Sequence, residues 1–133
     1  MINTAVAVFI KGRKLLMEKR SNDRNVYAGF LMCPSGHIND TESSEQALKR
    51  EMKEELGINI LETEFLFDIH NIDPFSKKDF CHNFMLVKSF EGRIKKSREA
   101  EKLVWMSYDE LKKHNPVLIV RKLVDKLHEM DLI

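Results

Sequence analysis

Residues 36–58 read GHINDTESSEQALKREMKEELGI, and the fold turns on this stretch. Ser43 and Gln46 have the spacing of a capping box, in which each side chain bonds the other residue's backbone N–H. Gly57 stands where a helix C-terminus favours glycine, so the spacing predicts a helix over 43–56. With Leu48 at zero on a helical wheel, Met52 and Leu56 fall within roughly 80° and form the apolar stripe. Glu55, Glu51 and Glu54 fall at roughly −20°, −60° and −120°, an acidic arc bordering that stripe. Lys49, Arg50 and Lys53 take the other side.

Like charges three and four apart weaken an isolated helix by about 0.2–0.5 kcal/mol per pair. A divalent cation would offset that repulsion. Carboxylate oxygens on a rigid helix suit a hard ion such as Mg²⁺, which binds through one or two carboxylates plus substrate phosphates. By helix pattern alone, a solvated acidic face with Lys and Arg partners explains the arc as well. The wider pattern has to decide.

Upstream, residues 4–10 (TAVAVFI) and 14–20 (KLLMEKR) predict two strands joined by a tight turn at Gly12. Residues 21–29 read as a polar loop, and 30–33 as a short buried strand ended by Pro34 and Gly36. Downstream, 58–70 and 80–90 predict two strands around a turn at 73–78, and 103–106 a last short strand. Ser107 and Glu110 cap a short helix. Asn115-Pro116 starts a final amphipathic helix with Val117, Val120, Leu123, Val124 and Leu127 on its apolar side. This order predicts an α+β fold in one domain, 1–133, with a helix packed on a mixed sheet.

A chain of 133 residues can bury one real core. Its 22 basic and 21 acidic residues leave no net field, which argues against polymeric nucleic acid or an anionic membrane as partner. No apolar run approaches the roughly 18 residues needed to span a bilayer, and the first residues lack the basic-then-apolar pattern of a signal peptide. Cys33 and Cys81 have no paired spacing and are expected to be reduced core thiols. The five histidines show no zinc-ligand spacing. A cytoplasmic protein, monomer or homodimer, is expected.

Gly36, five residues, Glu42, seven residues, then Arg50-Glu51-Met52-Lys53-Glu54-Glu55-Leu56-Gly57-Ile58 resembles the box of the Nudix hydrolase family at every fixed position. Such a match arises by chance on the order of once in ten million chains of this size. The flanking strands, Pro34, Trp105 and Asp109-Glu110-Leu111 extend the resemblance over nearly the whole chain. It implies that family's α/β/α sandwich, with the mixed sheet packed against the box helix and the C-terminal helices. It also implies a hydrolase of phosphoanhydride bonds that uses Mg²⁺, or Mn²⁺ in its place.

Carried over by position, the resemblance makes Glu51, Glu54 and Glu55 the metal-binding carboxylates, Glu51 or Glu54 also acting on the attacking water, with the Gly36 carbonyl as a further ligand. Arg50 and Glu42 are expected to form an orienting salt bridge. Glu99 and Glu101 are equal candidates for an added glutamate, each with a plain solvated charge as the alternative. Arg20 stands where family members carry an arginine facing the phosphates, with a surface arginine as the alternative. Asn115 is placed either to read a base or to cap a helix, and Tyr27 either to stack on a base or to pack.

Residues 27–37, YAGFLMCPSGH, resemble the segment of MutT-like members that hydrolyse (deoxy)nucleoside triphosphates, often oxidised or non-standard ones, to monophosphate and pyrophosphate. Ser35 and Leu31 depart from that form, where glycine and an aromatic are usual. Pro74 lies where ADP-ribose-hydrolysing members carry a proline, although a turn would select it too. The alternatives to a triphosphate pyrophosphohydrolase are an ADP-ribose or nucleotide-sugar pyrophosphatase and a non-catalytic nucleotide sensor.

Overall fold

The computed structural model of the chain describes residues 1–21, 29–98, 100–114 and 117–133. In chain order the strands are β1 (Ile2–Val8), β2 (Ile10–Lys11), β3 (Lys14–Arg20), β4 (Leu31–Met32) and β5 (Ser35–His37). Helix α1 (Ser44–Leu56) follows, then β6 (Asn59–Ile72), β7 (Asp79–Glu91) and β8 (Ala100–Met106), and finally α2 (Tyr108–Lys113) and α3 (Leu118–Glu129). They fall into two compact units.

The first unit joins Met1–Val8 to Pro34–Ser97. Its sheet runs β5-β1-β7-β6, with β1 parallel to β7 and antiparallel to β5, and with β6 and β7 forming a long antiparallel hairpin. The capping box at Ser43 and Gln46 forms as the spacing predicts, and Gly57 ends the helix in the left-handed region at φ 71°. The stripe of Ala47, Leu48, Met52 and Leu56 is wholly buried, and α1 lies on β1, β5 and β6. Each of the three large side chains contributes about 1.5–3 kcal/mol, which fixes the helix's rotation and so the direction of its acidic arc. At the hairpin turn Asp73 Oδ2 accepts from the Ser76 N–H at 2.7 Å, and Lys77 turns left-handed at φ 62°. Pro74 belongs to that turn, and backbone geometry alone accounts for it.

The second unit joins Phe9–Cys33 to Arg98–Ile133. Strand β3 pairs antiparallel with β2, β4 and β8. Gly12 (φ 56°) and Arg13 (φ 61°) make the two-residue turn between Lys11 and Lys14 that suits the right-handed twist of a hairpin. The capping box of Ser107 and Glu110 opens α2. Helix α3 buries Val120, Leu123, Val124 and Leu127.

The α+β class stands, with the strands shared between two sheets. Residues 4–10 are not one strand: pairing with β7 stops at Val8 and pairing with β3 begins at Ile10. Phe9 between them is buried, and its carbonyl accepts from the Leu16 N–H at 3.0 Å. A uniformly apolar run carries no mark of where one sheet gives way to the next. The strand expected over 30–33 shrinks to Leu31–Met32, and Phe30 is exposed. Pro34 and Gly36 do not end it but lead into β5, which Pro34 can join because it lies at a sheet edge, its carbonyl accepting from the Ala7 N–H at 2.9 Å. Helix α3 starts at Leu118 with Val117 as N-cap and no side-chain cap, later than Asn115-Pro116. Among the described residues no helix is long and apolar enough to cross a membrane.

Candidate active site

Strand β5 and the start of α1 set the geometry. Gly36 pairs with Ala5 across the sheet, and the Glu51 side chain lies directly over it. A Cβ at position 36 would overlap Glu51 Cγ and Cδ and stand 2.7 Å from its Oε2. Close approach, not a left-handed backbone, is why glycine is needed here.

Arg50 organises the carboxylates. Its Nε and Nη2 donate to Glu42 Oε2 and Oε1 at 2.7 and 2.8 Å, a two-bond fork. Nη2 also donates to the His37 carbonyl at 3.1 Å, and Nη1 to Glu51 Oε1 at 2.8 Å. Nη1 lies 3.9 Å from Glu54 Oε2. Glu42 Oε1 further accepts from the Asn39 N–H at 3.0 Å. The Arg50 bonds, then that from Asn39, hold the Glu42 carboxyl down at about 2, and the same contacts with Glu42 and Glu51 raise Arg50. Glu42 and Arg50 therefore neutralise each other at neutral pH, as the expected salt bridge requires.

What remains is acidic. Glu51 has Oε1 committed to Arg50, and among the described residues its Oε2 accepts no hydrogen bond. Glu54 is 63% exposed, and Glu55 is half-buried at the edge of the stripe. Glu51, Glu54 and Glu55 do not draw their oxygens into one tight cluster; among the described residues only Asp68, His70 and Cys81 bring three ligand atoms within 4.8 Å. An open set of hard oxygens fits Mg²⁺, which keeps several positions for water and phosphate, better than it fits an ion that needs an all-protein cage.

Of the other expected residues, Arg20 and Glu101 belong to the second unit. Arg20 ends β3 at an irregularity against β8, and its N–H bonds the Phe30 carbonyl at 2.9 Å. Glu101 lies within β8, not in a loop, and pairs with Lys19 at 3.1 Å. Tyr27, Glu99 and Asn115 lie outside the described residues. Trp105, half-buried on β8, stands opposite Leu16. Sequence reasoning missed the roles of Asn39 and the His37 carbonyl, since backbone groups leave no residue-type signal. It also missed a cavity of about 370 Å³ in the second unit, where Lys19, Leu31, Lys102, Met106 and His114 converge. Those residues come from four separate stretches with no common spacing.

This helix, with its buried stripe and with Glu51 pressed onto a strand glycine, belongs, as the chain's relatives show, to a hydrolase of pyrophosphate bonds. The chain belongs to the NUDIX domain family, which matches residues 1–127. It is 31% identical to an 8-oxo-dGTP diphosphatase of Buchnera aphidicola over 85% of this chain and 82% of that one. It is 30% identical to a CTP pyrophosphohydrolase of Escherichia coli over 83% and 78% of the two chains. The crystal structure of a MutT NUDIX hydrolase from Burkholderia pseudomallei superposes with a TM-score of 0.81 at 25% identity, covering 93% of this chain and 95% of that one. Hydrolases of this family generally need a divalent metal ion and act on small nucleotide substrates.

Proposed function

We propose that this chain hydrolyses a (deoxy)nucleoside triphosphate to the monophosphate and pyrophosphate with Mg²⁺, or Mn²⁺ in its place. The observation that carries the reading is the arrangement around Arg50: one guanidinium against Glu42, Glu51 and Glu54, with Glu51 pressed onto Gly36. The relatives named for 8-oxo-dGTP and CTP support a triphosphate as substrate and put oxidised purine and cytidine nucleotides first for testing.

Glu51, Glu54 and Glu55, with the Gly36 carbonyl, would hold the ion, which supplies charge neutralisation at phosphate oxygens and acidifies bound water. Arg50 and Glu42 act by position: the fork fixes Arg50, and Arg50 fixes one oxygen of Glu51 while leaving the other clear. The water oxygen bonds to phosphorus in line as the bridging P–O bond breaks, and its proton passes to Glu51 or Glu54. The leaving oxygen departs with the other phosphate group. Arg20 and Glu101 are proposed as substrate-side residues, as are Tyr27, Glu99 and Asn115. Residues 1–133 then act as one catalytic domain, supported by a family match that runs through both units. A cytoplasmic setting rests on the two unpaired cysteines.

A panel of nucleotides assayed with and without Mg²⁺ tests this. Pyrophosphate should appear with the monophosphate from a triphosphate. Phosphorylated sugar products from ADP-ribose alone would move the assignment to the pyrophosphatase reading. Binding without any product would replace it with a sensor.

A further inference from the structure

The sheet of the first unit carries a second set of ligands that the hydrolytic reading leaves unused. His70 on β6 and Cys81 on β7 face each other as a cross-strand pair. Asp68 lies two residues before His70, and the period of a strand puts both on one face. Ligand atoms of the three lie within 4.8 Å of one another, and His70 Nε2 stands 3.5 Å from Cys81 Sγ. A tetrahedral zinc ion with sulfur at about 2.3 Å and nitrogen at about 2.0–2.1 Å separates those two atoms by about 3.5 Å. The nitrogen–sulfur edge of such a site is thus already in place. Asp68 is exposed and its side chain hydrogen-bonds the Cys81 thiol, so its carboxylate already faces that edge as a third donor.

We propose that Asp68, His70 and Cys81 form a binding site for Zn²⁺ or a similar borderline transition ion on the β6–β7 hairpin, separate from the carboxylates of α1. The donor types make the separation a chemical one. Thiolate and imidazole select a softer ion, whereas the oxygen donors of α1 select Mg²⁺. Cys81 is buried at the base of the site, and His70 and Asp68 stand at its solvent side, which gives an ion a way in and leaves the fourth position to water. Loading forms the metal–sulfur bond and releases the Cys81 thiol proton to solvent.

Co²⁺ titration of the chelator-stripped chain tests the site without reference to hydrolysis. The wild type should develop a thiolate-to-cobalt charge-transfer band and tetrahedral ligand-field bands saturating at one ion per chain, and Zn²⁺ should abolish both. Cys81→Ser should remove the charge-transfer band, and Cys33→Ser should keep it. Loss of a group that merely supports a ligand costs about 10–100-fold in affinity, so His70→Ala, at an exposed position that does not threaten folding, should cost at least about 100-fold. No thiolate band at millimolar Co²⁺, a band that survives Cys81→Ser, or unchanged affinity in His70→Ala would overturn the proposal. Each of these results leaves the Mg²⁺-dependent assay untouched, so the two readings fail separately.

Discussion

Replacing Gly36 by alanine adds one methyl group and puts the proposed role of Glu51 to a direct test. The new carbon would stand 2.7 Å from Glu51 Oε2, where ordinary contact begins at 3.4 Å, a shortfall of 0.7 Å, and it would overlap Cγ and Cδ outright. Strand β5 is held by its pairing with β1, so the flexible partner, Glu51, is the one that moves, by about 1 Å or more. Overpacking of this kind costs about 1–3 kcal/mol, which a folded domain with a complete core survives. A misplacement of about 1 Å at a reacting centre costs about 10²-fold in rate, so kcat should fall by that order while the chain stays folded. The assay is pyrophosphate release at saturating nucleotide and Mg²⁺, paired with a thermal melt. A double-mutant comparison sharpens it: on a Glu51→Ala background, Gly36→Ala should cost almost nothing further in either readout. Full activity with an unchanged melt in Gly36→Ala, or additive losses in the double variant, would refute the close-approach argument.

Glu54→Gln, at a 63% exposed position, should leave stability within about 0.5 kcal/mol and lower the rate by about 10²–10⁴-fold; wild-type turnover would remove Glu54 from the site. Glu42 in the folded chain is held at about 2 against an ordinary 4.5, so its contribution is whole above 4.5 and is lost as pH falls toward 2. The melting difference between wild type and Glu42→Gln should therefore be largest at neutral pH and shrink across that window, and a constant difference would show that the pairing with Arg50 is not its source. His82 is pushed down by burial, partly offset by Asp73, and bridges Thr4 at 2.7 Å and Asn71 at 3.1 Å. Its stabilisation is whole above 6.5 and lost as pH falls below it, at no more than about 1.4 kcal/mol per pH unit, and His82→Gln should flatten that part of the stability–pH curve.

The box helix was legible because each of its signals is local. Capping spacing, a terminal glycine and a 3.6-residue period all act within four residues, so Ser43, Gly57 and the stripe of Leu48, Met52 and Leu56 stand where sequence places them. Sheet membership was not legible, because the partner of Val8 is Leu86 and that of Ile10 is Leu15, and nothing in TAVAVFI distinguishes the two. The pairing of His70 with Cys81 escaped for the same reason. Zinc-ligand spacing is a pattern along the chain, and these two ligands meet only through the register of a hairpin. Gly36 was visible as a required glycine, but its reason was not, since a plain turn and a pressed carboxylate look alike in sequence.

Arg50 resolves the difficulty that the acidic arc poses for its own helix. Read from the wheel, it belongs to the side away from the glutamates, yet its side chain reaches back with two donated hydrogen bonds to Glu42, one to Glu51 and one to the His37 carbonyl. Those bonds grade the carboxylates. Among the described residues Glu42 has both oxygens committed, Glu51 has one committed and one clear, and Glu54 keeps only a 3.9 Å contact while mostly exposed. A carboxylate bound at both oxygens would have to break a charged fork to take a cation, which sets Glu42 apart from the proposed ligands although it is as acidic in type as the others. The guanidinium offsets the repulsion that would otherwise weaken the helix, and it does so on the carboxylates furthest from solvent. Glu54 and the second oxygen of Glu51, with Glu55 beside them on the helix, are the carboxylates proposed to hold a hard cation at the substrate's phosphates.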